Sequence, residues 1–324
     1  MFPVGPASSG CFKHHALSVP SGNIRLVENA FYQAVGPDTY VATPATIGPW
    51  SADAQHGGPP SALAARALES HEPDPRQRLA RVCVDILRPV PIGKISVRTR
   101  TVRPGRRVAL VETVLEADGQ DVLHARGWRI ERPAGQVPEV RDQDSVRDQG
   151  RSGVIPPAGD GLAPPIFEHA PDGYLSMIEW RFMSGAPGEA RSSPTGTTDH
   201  SQGFAEPAVT RDENGLTALV RYVWTRPRLP LILGEEPTPM TRALLVADSG
   251  SGVGAALPSS GFIFINVDLT VVLPRDPAGE WLLLEASTAI GADGTGLATT
   301  RLSDVDGSFG RAWQTLLVAP RPAR

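Results

Sequence analysis

Residues 59–70 read PPSALAARALES, and this stretch predicts a central α-helix. Two successive prolines are tolerated only in the first helical turn, where the backbone N–H groups have no intrahelical acceptor, and the Ala/Leu-rich residues that follow favour a helix. The preceding residues 51–58, SADAQHGG, are predicted to form a loop. The predicted helix therefore begins directly after two glycines.

Antiparallel strands are predicted after this helix, because apolar and polar residues alternate in segments separated by Pro/Gly and Asp-Gly turns. The predicted strands span 79–87, 94–103, 107–116 and 121–131. A further strand is predicted before the helix, at 39–46. The first part of the chain thus combines one helix with a β-meander.

The same order recurs in the second half of the chain. Thr238 is the predicted N-cap and Pro239 the first residue of a second helix that extends to Gly250. Residues 60–69 align without a gap with residues 239–248. Strands are predicted around this helix at 174–183, 216–225, 262–273, 281–291, 296–304 and 309–319, with a polar loop at 184–215.

Two strand motifs support the repeat. Arg126-Gly-Trp128 aligns with Arg311-Ala-Trp313, and RVCVD at 81–85 aligns with FINVD at 264–268. A repeat of this length indicates duplication of a whole domain. The predicted fold class is therefore α+β, with one helix wrapped by a curved antiparallel sheet, twice over.

Composition divides the chain and excludes several classes of protein. A Pro/Gly/Asp-rich segment predicts a linker at 134–171 between an N-terminal unit at 26–133 and a C-terminal unit at 172–320, and the first 25 or so residues are predicted to be a loose tail. Two cysteines argue against a disulfide scaffold and a cysteine-rich zinc site, and fit a cytoplasmic location. A net charge of −4 without a basic cluster argues against nucleic-acid binding, and no apolar run is long enough to span a membrane.

Motifs of other enzyme classes do not fit. The glycines at 250–254 lack the GxGxxG spacing and follow a helix, so a dinucleotide loop is not predicted. No GxSxG motif accompanies the His-Gly-Gly at 56–58, and Asp53 and His56 lack the Asp–His spacing of hydratases. No histidines have HxH or HExxH spacing, so no metal or other cofactor is predicted.

Three segments carry a family resemblance. Residues 50–69 (WSADAQHGGPPSALAARALE), VDILRPVPIG at 84–93, and RALLVADSGSG with INVDLTVVLPRDPAGEWLLLEA in the second half resemble the double-hotdog acyl-CoA thioesterases related to bacterial acyl-CoA thioesterase II. The resemblance covers roughly 30–133 and 172–319. It implies two hotdog units, each a helix wrapped in a sheet, that pair edge to edge.

The resemblance also implies a catalytic set in the second hotdog. An Asp on the central helix corresponds to Asp248, a polar residue on the next strand to Asn266, and a Gln on the last strand to Gln314. Asn266 stands where a Thr is found in the best-known relative. The first hotdog has Glu69, Cys83 and Arg129 at the aligned positions, which implies one catalytic polar set rather than two.

Thioester hydrolysis gives these residues roles. Asp248 can accept a proton from water, and the amides of Asn266 and Gln314 can orient that water. His56, Gly57 and Gly58 are predicted to bind substrate, with backbone N–H groups at a helix N-terminus facing the carbonyl oxygen. The predicted function is hydrolysis of fatty or related acyl-CoA thioesters by a homodimer or larger assembly.

Other interpretations stay open at this point. Asp248 could simply cap its helix, Asn266 and Gln314 could be solvated strand residues, and His56 could be an ordinary loop residue. Asp85 and Asp268 recur in both halves, which favours a structural role over catalysis. A non-catalytic protein that binds acyl-CoA or an acyl carrier is the rival function, and thioester turnover distinguishes the two.

Overall fold

The computed structural model describes residues 29–140, 173–183, 209–213 and 215–321 of the 324-residue chain. The predicted N-terminal tail, most of the predicted linker and most of the predicted polar loop lie outside these ranges. The described helices are α1 (Gly58–Ser70), α2 (Tyr174–Met177), α3 (Pro239–Ala247) and α4 (Gly250–Val253), and a 3₁₀ turn covers Pro44–Thr46. None of these helices is long and apolar enough to cross a membrane.

The strands occupy the rest of both halves. The first half contains β1 (Tyr32–Gly36), β2 (Thr39–Ala42), β3 (Ile47–Gly48), β4 (Ser51–Gln55), β5 (Gln77–Ile86), β6 (Lys94–Arg103), β7 (Val108–Ala117) and β8 (Gln120–Glu131). The second half contains β9 (Ile178–Phe182), β10 (Val209–Asp212), β11 (Gly215–Ala218), β12 (Arg221–Pro227), β13 (Phe262–Asn266), β14 (Asp268–Val272), β15 (Leu282–Ile290), β16 (Thr295–Asp304) and β17 (Gly307–Pro320).

Thirteen of the described strands form one antiparallel sheet in the order β1-β2-β6-β7-β8-β5-β14-β17-β16-β15-β12-β9, with β13 also paired to β17. The two halves meet at the centre, where β5 pairs with β14 and Val82 lies opposite Val271. Both valines are fully buried. The predicted duplicated α+β architecture is confirmed, and the pairing of β5 with β14 joins its halves into one sheet.

The central helices α1 and α3 pack against each other in antiparallel directions. Gly58 at the start of α1 lies so close to the Leu245 carbonyl near the end of α3 that a Cβ on Gly58 would be 2.2 Å from that oxygen. At the other end of the pair, the Thr238 hydroxyl donates a hydrogen bond to the Glu69 carboxylate at 2.6 Å. A side chain at position 58 would therefore push the helices apart.

The predicted start of α3 is confirmed, and its predicted end is wrong. The Thr238 side chain caps the helix by accepting a hydrogen bond from the Thr241 N–H at 3.2 Å. The helix ends at Ala247 rather than Gly250, and the Ser249 N–H bonds to the Val246 carbonyl instead of continuing the α-helical pattern to Leu245. The Leu245 carbonyl accepts the Tyr174 hydroxyl at 2.8 Å, a contact that local sequence patterns do not reveal.

Several predicted boundaries in the loops and strands also need correction. The predicted strand at 39–46 ends at Ala42, and the predicted strand at 216–225 is divided between β11 and β12, which belong to different sheets. Residues 51–55, predicted as a loop, form β4, whose Gln55 is buried and held by the Tyr32 hydroxyl and the Pro91 carbonyl. The predicted strand at 174–183 begins with the helical turn α2. The predicted strand at 262–273 is interrupted at Val267, because the Val267 N–H bonds to Thr315 on β17 while its carbonyl accepts from Ile86 on β5.

Glu69 generates a prediction about stability. Burial raises the pKa of Glu69 to about 7, against the opposing effect of the Thr238 hydrogen bond. Between about pH 4.5 and 7 the folded protein therefore holds a proton that the unfolded chain releases, so stability falls as pH rises through this window and is constant above it. The loss at pH 8 relative to pH 4.5 is on the order of 3 kcal/mol.

Glu69→Gln should remove this part of the pH dependence, as measured by urea unfolding at pH 5 and pH 8. Glu236 is exposed, and Glu236→Gln is the matched control that should leave the dependence unchanged. Equal pH dependence in wild type and Glu69→Gln would contradict the prediction.

Candidate active site

A cavity of about 580 Å³ opens at the junction of the two halves. Its polar end is formed by His56 and Gly57 from the first half and by Asp248 and Asn266 from the second. The remaining wall is mostly apolar and includes Trp50, Ile86, Leu87, Val90, Leu175, Trp180, Ile263, Phe264, Ile265 and Val267. An apolar cavity with a few convergent polar groups is the usual form of a small-molecule site.

The Asp248 carboxylate is the centre of the polar cluster. Asp248 follows the last residue of α3, and its side chain is 4% exposed. Its Oδ1 accepts hydrogen bonds from Asn266 Nδ2 at 2.7 Å and from Gln314 Nε2 at 3.1 Å. Asp248 is thus the C-cap residue of α3, and its side chain is held by neighbouring strands.

Gln314 lies behind Asp248 rather than in the cavity. It projects from β17, is 1% exposed, and uses Nε2 to contact both the backbone carbonyl and Oδ1 of Asp248, each at 3.1 Å. Its Oε1 accepts the Ser251 N–H at 3.0 Å. The sequence predicts that Gln314 orients the water. In the structure both ends of its amide are instead occupied by protein groups, so Gln314 contacts Asp248 and not the cavity.

Asn266 does reach the cavity. It is the last residue of β13, beside the interruption at Val267, and donates Nδ2 to Asp248. Within the described part of the chain, its Oδ1 has no hydrogen-bond partner. Asn266 can therefore hold Asp248 with one end of its amide and accept a hydrogen bond from a water or ligand with the other.

The first half contributes the N-terminus of α1. His56 Nδ1 lies 3.1 Å from Asp248 Oδ2, and the same nitrogen accepts the Gly58 N–H at 3.1 Å. A Cβ on Gly57 would lie 2.7 Å from Asp248 Oδ2, so only glycine allows this approach. The Gly57 N–H has no acceptor among the described residues and is available to a ligand oxygen.

Tyr174 is a site residue that the sequence did not reveal. Its ring is fully buried and stacks on the His56 imidazole, with centroids 3.8 Å apart and an angle of 11°. Its hydroxyl bonds to the Leu245 carbonyl at 2.8 Å and to the Ser249 hydroxyl at 2.9 Å. No motif marks Tyr174, because its role depends on contacts with residues far away in sequence.

Electrostatics distinguish the site's two titratable groups. Burial lowers the pKa of His56, and the nearby Asp248 carboxylate only partly opposes this shift. His56 is therefore neutral near pH 7. Within the described ranges, no group of three His, Cys, Asp or Glu side chains is placed to hold a metal ion.

The first half has a different arrangement at the equivalent place. Arg129 is buried on β8 and donates to the carbonyls of Leu68, Glu72 and His71 at the end of α1. Gln314 likewise reaches the carbonyl at the end of α3, which supports the alignment of Arg129 with Gln314 and of Glu69 with Asp248. In the first half the arginine fills the space and caps the helix.

The alignment of Cys83 with Asn266 is wrong. In the Arg-x-Trp alignment, Leu316 on β17 corresponds to Glu131 on β8. Leu316 lies opposite Asn266, and Glu131 lies opposite Gln77, so Gln77 is the counterpart of Asn266. The recurring Val-x-Val-Asp pattern misled the alignment, because an alternating strand matches itself after a shift of any even number of residues.

Asp268 has a structural role, as predicted, although the corrected register no longer aligns it with Asp85. Its carboxylate accepts hydrogen bonds from the backbone N–H and the hydroxyl of Thr315 on β17. It also lies opposite Asp85 where β14 pairs with β5. These contacts occupy Asp268 in the sheet.

Family models match most of the chain. The acyl-CoA thioesterase N-terminal domain matches residues 46–130, and the acyl-CoA thioesterase C-terminal domain matches residues 159–318. A comparison with curated proteins gave no match.

Solved structures share the fold over nearly their whole length. A candidate thioesterase II of Thermobifida fusca superposes with a TM-score of 0.62 at 19% identity, over 90% of this chain and 96% of that one. A hot dog fold protein of Alicyclobacillus acidocaldarius gives 0.60 at 16% identity, over 92% and 98%. Acyl-CoA thioesterase II TesB2 of Mycobacterium marinum gives 0.56 at 15% identity, over 92% and 98%. The predicted double hotdog is confirmed.

The burial of Gln314 generates a prediction about stability. Gln314→Leu should lower the free energy of unfolding by about 2–4 kcal/mol, because the Ser251 N–H and the Asp248 carboxylate each lose a buried partner. Urea unfolding measures this loss. Gln120 is an exposed glutamine that accepts one hydrogen bond from Arg88, and Gln120→Leu should change stability by less than about 0.5 kcal/mol. Equal effects of the two substitutions would contradict the assignment.

Proposed function

Because the chain belongs to the acyl-CoA thioesterase family, we propose that it hydrolyses fatty or related acyl-CoA thioesters to the free acid and the thiol, using a water molecule activated by Asp248. The observation that carries this proposal is the meeting of the Asp248 carboxylate with the free N–H of Gly57 at the end of an apolar cavity. The Asp248 carboxylate can remove a proton from water, and the Gly57 N–H can stabilise an oxyanion.

The reaction is divided between the two halves of the site. A water between Asp248 and the free oxygen of Asn266 attacks the thioester carbonyl carbon and gives its proton to Asp248. The electron pair of the carbonyl moves to oxygen, and the Gly57 N–H at the N-terminus of α1 donates a hydrogen bond to the resulting oxyanion. The C=O bond re-forms as the C–S bond breaks and its electron pair leaves on sulfur. The thiolate then takes the proton from Asp248, which restores the carboxylate.

The apolar wall of the cavity supports the proposal that the thioester carries an apolar acyl group. Its wall is lined mainly by aromatic and branched aliphatic side chains, among them Trp180, Ile263 and Phe264. Burial of each methylene of an acyl chain against such a surface contributes about 0.8 kcal/mol. The substrate-binding roles of His56, Gly57 and Gly58 belong to this proposal.

Asp248→Asn is the direct test. It retains the size of the side chain but removes the proton acceptor, so kcat for acyl-CoA hydrolysis should fall about 10²–10⁴-fold with little change in KM. Release of free thiol from a panel of acyl-CoA chain lengths measures the effect. Gln314→Ala should lower kcat less, because Gln314 acts on the water only through Asp248.

Glu69→Gln is the matched control, because Glu69 holds the helix position equivalent to Asp248 in the first half, where Arg129 occupies the end of α1. It should leave turnover nearly unchanged. Loss of activity in Glu69→Gln with full activity in Asp248→Asn would place the site in the other hotdog. If the wild-type protein binds acyl-CoA but releases no thiol, the chain is a binding protein.

We further propose that the protein is a cytoplasmic homodimer or larger assembly. The outer face of the sheet carries neighbouring exposed apolar side chains, Leu297, Trp313 and Leu317, each between 38% and 50% exposed. Such a face is suited to pairing with a second copy. Light scattering at micromolar concentration should give at least twice the 34.4 kDa mass of the chain, and a monomer mass would contradict the proposal.

A further inference from the structure

His56 has three close neighbours that together fix its ring. Tyr174 stacks on one face at 3.8 Å, the Gly58 N–H donates to Nδ1 at 3.1 Å, and Asp248 Oδ2 lies 3.1 Å from the same nitrogen. Tyr174 is itself held through its hydroxyl by Leu245 and Ser249. The orientation of the imidazole is therefore set by these contacts.

The Gly58 hydrogen bond assigns the ring proton. Because Nδ1 accepts a backbone N–H, its lone pair is free of a proton, and the proton of the neutral ring is on Nε2. In the described structure Nε2 has no protein partner and is not sealed from solvent, and His56 lines the cavity. Nε2–H is thus an unused hydrogen-bond donor beside Gly57.

We propose that His56 is a further catalytic residue, whose neutral imidazole donates Nε2–H to the thioester carbonyl oxygen as negative charge develops there. This inference rests on the proposed thioester hydrolysis. Together with the Gly57 N–H, it gives the oxyanion two donors of different kinds, one from the backbone and one from a side chain. No proton leaves Nε2 in this step, so the imidazole stays neutral throughout.

The other ring nitrogen acts on Asp248. An ionised Asp248 gains no hydrogen bond from the unprotonated Nδ1. Once Asp248 has taken the water's proton on Oδ2, that O–H can donate a hydrogen bond to Nδ1, and the proton stays on Asp248. The contact therefore favours the protonated acid that forms during the reaction. Oδ1 is already occupied by the amides of Asn266 and Gln314, which leaves Oδ2 as the oxygen that receives the proton.

His56→Phe is the main variant for the test, because a phenyl ring can still stack on Tyr174 while both nitrogens are lost. Its kcat should fall about 10²-fold, the usual effect of removing one oxyanion donor, with little change in KM. His124→Phe is the matched control. His124 is half-exposed on β8 beside Asp121, and this substitution should leave kcat unchanged.

Binding of two unreactive acyl-CoA analogues separates a catalytic role from a structural one. The ketone analogue, with CH₂ in place of sulfur, keeps the carbonyl oxygen, and the thioether analogue, with CH₂ in place of the carbonyl, lacks it. His56→Phe should weaken the ketone analogue by about 10-fold and leave the thioether analogue unaffected. If the substitution weakens the binding of both analogues equally, or changes the binding of neither, the proposal is overturned.

Nitrogen-15 NMR of the wild-type protein labelled in histidine tests the tautomer without any substitution. We expect an unprotonated Nδ1 and a protonated Nε2 for His56, and the opposite assignment overturns the proposal even if the variant fails to fold. Failure of the proposed function is distinct, because wild type would then hydrolyse no acyl-CoA, whatever the analogues and the NMR show about His56.

Discussion

The close antiparallel contact between α1 and α3 is the constraint on which the site depends. Gly58 and the Leu245 carbonyl approach each other more closely than any side chain at position 58 would allow. This approach places the preceding residues, His56 and Gly57, against Asp248 at the end of α3. In the sheet, the pairing of β5 with β14 also fixes how the two halves are placed relative to each other. The site therefore exists only where the two halves meet.

The two halves show how one architecture can give either a helix cap or a reactive site. On the last strand of the first half, Arg129 spreads over several carbonyls and occupies the end of α1 with a permanent positive charge. On the last strand of the second half, Gln314 is shorter and neutral, so it can bond to Asp248 without forming an ion pair with it. A carboxylate paired with an arginine would be a weaker base. The change from arginine to glutamine therefore leaves Asp248 able to accept a proton.

Local patterns predicted most of the fold, and the parts they missed depend on distant contacts. The prolines in the first turns of α1 and α3, and the alternation in β5–β8 and β15–β17, identified these elements to within a few residues. At the early end of α3 the Leu245 carbonyl accepts the Tyr174 hydroxyl, which approaches from another part of the chain. The predicted alignment of Cys83 with Asn266 is wrong because the alternation of polar and apolar residues does not distinguish alignments that differ by an even number of residues. For the site, the family pattern indicated residues that the structure brings together, but it contained no sign of Tyr174.

In the proposed mechanism the proton acceptor lies in one half and the oxyanion donors in the other, so activity should depend on how the two halves are held together. An isolated second half would retain Asp248, Asn266 and Gln314 but would lack Gly57 and His56, and an isolated first half would lack the base. A glycine at position 57 has no side chain with which to bind Asp248, so its position is set by the helix pair and by β4, whose Gln55 is held by Tyr32 and Pro91. The geometry between water, carbonyl carbon and oxyanion donors is therefore maintained by the core between the halves. Loosening of that core should reduce turnover before it unfolds either half, because an error of about 1 Å in the position of reacting groups is costly to the rate while it hardly changes the buried area.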